Sequence, residues 1–186
     1  DLTEAVRGKS ALSPVALEYF DGDALALLRA GQARGDAALP PLPAESGCAL
    51  YLELAGEEEA PLAAGAAEFA DLLARSGGRA ELAWVAIDGH DLERLKLLRH
   101  AVPEQVNLLV AERRRAHAGL VKTATDLAVP PEHLRDCLAM YRRALAAARL
   151  ESVVFGHIGD NHLHVNILPR DMDEHRRARE LCGEWA

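Results

Sequence analysis

Residues 151–170 read ESVVFGHIGDNHLHVNILPR, and this run decides the architecture. Ser152–Phe155 and His162–Leu168 carry the β-branched and aliphatic side chains that suit a pleated sheet. Ile158–Asn161 lies between them as a turn, where Asn accepts the left-handed conformation of a tight reversal. The second strand alternates, with His162, His164 and Asn166 on one face and Leu163, Val165 and Ile167 on the other. With Asp160-Asn161 as a two-residue loop, Gly159 pairs with His162, Ile158 with Leu163, and His157 with His164. Directly opposed residues share a face, with Cβ atoms roughly 4.5–5.5 Å apart. His157, His162, His164 and Asn166 then converge on one patch. Two imidazoles at that separation hold a divalent ion through bonds of about 2.0–2.2 Å. The plain alternative is a solvated polar strand face. Three histidines within eight residues favour the metal.

A link this short makes the strand pair an antiparallel hairpin. The remaining elements mix strands and helices, so the expected class is α+β. Working toward the N-terminus, Pro131–Arg149 reads as an amphipathic helix, and Asp171–Ala186 as another beyond the hairpin. Val121–Val129 reads as an alternating strand. His90–Ala116 is helical with an interruption at Pro103. Arg79–Ile87 reads as a strand, with Trp84 packed or half-buried. Glu57–Gly77 is a helix, Cys48–Leu54 a strand, and the proline-rich Gly35–Gly47 a loop. Ser13–Asp21 leads from a strand into the helix Ala24–Ala33, with Asp21 or Asp23 as N-cap. Asp1–Ser10 reads as a tail or a frayed helix end.

Composition narrows the function classes. The 186 residues suit one domain or two small ones. A net charge of −8 and 4% aromatic content argue against nucleic-acid binding, which needs basic surface and stacking rings. No apolar run approaches a membrane span, and no signal peptide is evident. Cys48, Cys137 and Cys182 have no paired spacing, so buried free thiols are expected. His100, His117, His133 and His175 lack partner spacing and read as surface or helix-end residues.

Two further residues carry candidate chemistry. Arg99 stands where one helical segment ends before Pro103. It either caps helical carbonyls or presents a planar fork to a carboxylate. Lys122, taken by itself, reads as a solvated edge-strand lysine. Asp126 reads as a structural hydrogen-bond acceptor.

The run GHIGDNHLHVN (156–166) resembles the GHxGDGNxHxN signature in the C-terminal domain of FAD-linked oxidases of the vanillyl-alcohol oxidase superfamily. These include D-lactate dehydrogenases, a glycolate oxidase subunit and D-2-hydroxyglutarate dehydrogenases. The resemblance extends to Ser13–Asp21, to the Arg99…Pro103 stretch and to Lys122–Pro130. Asn161 replaces the family's Gly, and His162 its Asn. The resemblance implies a ferredoxin-like antiparallel sheet with helices packed on one face. It implies a divalent metal, commonly zinc, on His157 and His164, with His162 as an added site residue. It also implies substrate contacts from Arg99 and Asn166, and more weakly from Lys122.

On this reading residues 1–12 are a tail or linker, and residues 13–186 are the cap domain of a longer enzyme. FAD would be held mainly by a preceding flavin domain. A following Glu-His-Gly segment would supply a third metal ligand and the base. The isolated chain is then expected to be inactive. The implied reaction oxidises a small D-2-hydroxy acid to the 2-oxo acid, with hydride passing to FAD. A quinone, cytochrome or flavoprotein would accept the electrons. The location implied is cytoplasmic, or peripheral at a membrane through that acceptor. The alternative is a stand-alone α+β module whose metal serves structure or assembly only.

Overall fold

A computed structural model describes Val6 and residues 14–35, 42–44 and 46–185. The remainder of the expected tail (1–12), part of the Gly35–Gly47 loop and Ala186 lie outside the described residues.

Six strands form one antiparallel sheet. They are β1 (Ala16–Asp21), β2 (Cys48–Glu53), β3 (Thr123–Ala124), β4 (Leu127–Ala128), β5 (Ser152–His157) and β6 (His162–Ile167). The order is β2-β1-β5-β6-β3, and β4 also pairs with β6. The described α-helices are α1 (Gly22–Ala33), α2 (Glu59–Arg75), α3 (Gly89–Arg113), α4 (Leu134–Ala148) and α5 (Met172–Trp185). The architecture is therefore α+β.

The central strand β5 separates two cores. Val153 and Phe155 point one way, toward Ala24, Leu25 and Leu28 of α1 and Val102 and Val106 of α3. Val154 points the other way, toward Leu72 of α2, Tyr141 and Leu145 of α4 and Ala178 of α5. Helical packing thus reaches both faces of the sheet. The unbroken apolar run SVVF is the local signature of a strand buried on both sides. Val6 is 1% exposed within the second core.

The hairpin register differs from the expected one. His157 pairs with His162, Gly156 with Leu163, and Phe155 with His164. The loop has four residues, a 3₁₀ turn at Ile158–Asp160 and Asn161 at φ 54°. Ile158 is buried in the second core rather than paired in the ladder, which lengthens the loop. The displacement is two residues, so each side chain keeps its face.

Five other expectations change. Arg79–Ile87 forms no strand among the described residues, only a 3₁₀ turn at Ala80–Leu82. Helix α3 runs through Pro103 without ending. Val121–Val129 breaks into β3 and β4 around Thr125-Asp126. Asp21 is the N-cap of α1; its Oδ1 accepts from the Ala24 amide at 2.7 Å. Cys48 is exposed rather than buried, and His175 is buried rather than superficial.

Candidate metal and substrate site

The histidine face is built by two ladders that share β6. From the β5 side come His157 and its partner His162; His164 follows two residues along the same strand. The three ring centroids lie 4.7–5.9 Å apart. From the other side, β3 and β4 keep a common register on β6, with Ala124 opposite Asn166 and Ala128 opposite His162. Asp126 therefore falls beside His164. The Thr125 hydroxyl, not a backbone carbonyl, accepts from the Val165 amide at 3.2 Å. The Thr125 amide in turn donates to the Val165 carbonyl at 3.0 Å, which holds this segment against β6 just before Asp126.

Asp126 Oδ1 stands 2.7 Å from His162 Nε2 and 3.2 Å from His164 Nδ1. One ligand atom from each of Asp126, His162 and His164 lies within 4.8 Å of the others. The site opens to solvent: side-chain exposure is 45% for His157, 29% for His162 and 26% for His164. Burial is the main cause that lowers the pKa of His164, with the neighbouring His162 adding to it. The shift favours the neutral imidazole, the form that ligates metals.

Gly156 lets the rings come this close. Its φ is +131°, and a Cβ there would stand 2.8 Å from His164 Cδ2 and 3.0 Å from the His162 carbonyl oxygen.

A buried carboxylate backs the cluster. Glu18 on β1 is 3% exposed. It accepts from His157 Nδ1 at 2.9 Å and pairs with Arg99 Nη2 at 2.6 Å. Fixing one ring nitrogen on a carboxylate turns the other outward, as happens behind metal-bound imidazoles. Arg99 also lies 3.9 Å from Glu53 Oε2 and 5.9 Å from the centre of the Tyr51 ring. It sits inside α3 rather than at a helix end, so the capping role is removed. Burial and the Glu53 carboxylate, which accepts from the Tyr51 hydroxyl, push that phenol up to about 12.

The other candidates stand differently. Asn166 shares the histidine face but is only 3% exposed. Lys122 is exposed ahead of β3, with no described bond to the cluster. Glu18 and Asp126 were not singled out by sequence pattern as ligand or partner. The alternation in Val121–Val129 does set Asp126 apart from its apolar neighbours, a usable signal. Glu18 carried none beyond an acid within an apolar strand.

Imidazole and carboxylate donors in this grouping fit a divalent first-row transition metal. Among the described residues no helix is long and apolar enough to cross a membrane. No curated protein matches the chain. The sequence profile for the C-terminal domain of FAD linked oxidases matches residues 1–186.

Proposed function

The chain belongs to the family of C-terminal domains of FAD-linked oxidases, and from that premise we propose that it is the substrate- and metal-binding cap of an FAD-dependent D-2-hydroxy-acid dehydrogenase. Residues 13–186 form the cap, and a flavin domain of the same parent chain completes the enzyme. The observation that carries the reading is the joining of a three-imidazole cluster to an arginine. His157 and Arg99 share the buried carboxylate of Glu18.

When bound, FAD supplies the hydride acceptor and a divalent ion supplies Lewis-acid polarisation of the substrate hydroxyl. His157 and His164 would hold the ion, which we expect to be zinc. Arg99 orients the substrate carboxylate. Its guanidinium already faces Glu18 and Glu53, so it is preset in position. An incoming carboxylate must share it with those two acids. Asn166, on the same face, contributes a hydrogen bond to the substrate once the cap is seated. Lys122 adds long-range attraction for an anion.

The test uses the chain joined to its flavin domain. D-Lactate, glycolate and D-2-hydroxyglutarate are offered with a dye as electron acceptor. Turnover of one of them is expected, with Arg99→Ala raising KM for it about tenfold or more, in keeping with a lost charge-assisted pair. A folded protein that retains flavin but oxidises no hydroxy acid would refute the substrate class.

A further inference from the structure

We propose that Glu53 is a specificity-determining residue: it competes with a bound carboxylate for Arg99, and so selects monocarboxylates over dicarboxylates. It acts on the substrate anion that the proposed function seats at Arg99, and resting on that reading it narrows the hydroxy acids to one class.

The two acids around Arg99 are not equivalent. Glu18 lies opposite Tyr51 in the β1–β2 ladder, and Glu53 follows two residues along β2. All three side chains therefore share one face of the sheet, the face on which Tyr51 packs with Val102 and Val106 of α3. The Glu18 side chain is 4% exposed and holds Arg99 Nη2 at 2.6 Å, a fixed support. The Glu53 side chain is 33% exposed and stands 3.9 Å from Nη1, beyond hydrogen-bond reach. The Tyr51 hydroxyl donates to Glu53 Oε2 at 2.9 Å. That bond keeps the second carboxylate beside Arg99 without closing it onto the guanidinium. The Nη1 side is thus where an incoming carboxylate docks, and Glu53 stands next to it.

Charge decides which ligands are favoured. Two carboxylates against one guanidinium leave this corner net negative. A ligand anion is attracted by Arg99 and repelled by Glu53, and the repulsion scales with the ligand's own charge. A dianion meets about twice the repulsion of a monoanion. Solvent at the partly exposed Glu53 weakens the effect, and salt screens it further. Of the acids named above, D-lactate and glycolate are favoured over D-2-hydroxyglutarate.

The chain joined to its flavin domain is titrated with propionate and with glutarate, which carry no hydroxyl to oxidise. Binding is followed by ligand-observed NMR. Glu53→Gln keeps an oxygen that accepts from Tyr51, so it removes the charge and leaves the contact. It should tighten propionate about threefold and glutarate about tenfold, with both gains shrinking at high salt. Glu53→Asp, which retains the charge, should keep the wild-type preference, and Arg99→Ala should weaken both anions. A Glu53→Gln variant that binds either anion no more tightly than the wild type would overturn the proposal. So would equal gains for the two anions, or a wild type that binds neither. Hydroxy-acid turnover judges the proposed function separately. A protein that shows the two unequal gains but oxidises no hydroxy acid loses the dehydrogenase assignment and keeps the role of Glu53.

Discussion

Glu18 makes the sharpest demand at the scale of single residues. It is a nearly inaccessible carboxylate with two basic partners from distant segments. Arg99 and His157 keep 31% and 45% of their exposure, so solvent recovers part of what Glu18→Ala removes. The expected loss is about 1–3 kcal/mol in urea unfolding, below that of a fully buried pair. A Glu18/Arg99 double-mutant cycle should show coupling of about 0.5 kcal/mol or more. Gly156→Ala combines a left-handed backbone with a Cβ pressed against His164. It should cost about 1–3 kcal/mol and weaken Zn(II) binding measured by calorimetry. His164 sets a pH dependence. Its pKa is depressed in the fold, so an unfolded chain takes up the proton first, near pH 6.5. Its contribution to stability is whole above that pH and is lost as pH falls through the lower, folded value. His164→Gln should flatten that part of the metal-free stability profile. The three histidines were readable as one face because alternation survives a two-residue shift in register. Asp126 and Glu18 were not readable as partners, because each reaches the site through pairing between strands distant in sequence.

Elements were legible wherever a local pattern also determined its partner. The hairpin, the capped α1 and the amphipathic α4 are of that kind. Asp21 shows how much a cap can do here. One oxygen accepts from Ala24 and the other from Val154 on β5 at 3.0 Å, so it ties a helix start to the central strand. Asp21→Ala should cost about 1–2 kcal/mol, and more than Asp23→Ala, as thermal unfolding of the two variants will show. Where the partner was missing, the pattern misled. Arg79–Ile87 keeps a two-residue rhythm of burial, yet no described strand pairs with it. Trp84 is held instead by the Arg94 guanidinium, 4.7 Å from its ring centre. Pro103 removes the donor for the Arg99 carbonyl. Burial of Ala101, Val102, Gln105 and Val106 against the sheet outweighs that lost bond, and the helix continues.

At the scale of the whole molecule, one sheet serves two cores, and its cooperativity follows from that. Neighbouring residues on β5 insert into opposite layers, Val153 at 2% exposure and Val154 at 5%. Neither layer can melt without uncovering the strand that supports the other. The two tryptophans sit on different sides of this arrangement. Trp84 contacts α3, which covers the first core. Trp185 on α5 packs edge-on against Tyr141 at 4.6 Å, beside the second. Trp84→Phe and Trp185→Phe therefore leave one fluorescent reporter per layer. Their urea transitions should coincide. Val153→Ala and Val154→Ala should each shift both reporters together, by about 1–3 kcal/mol for a buried methyl pair. Should Val153→Ala move the Trp84 transition and leave that of Trp185 in place, the layers would be separate folding units. The histidine face would then be floored by the first core alone. A shared shift instead makes the histidine face part of one cooperative unit, so an ion bound there should raise the urea midpoints reported by both tryptophans alike.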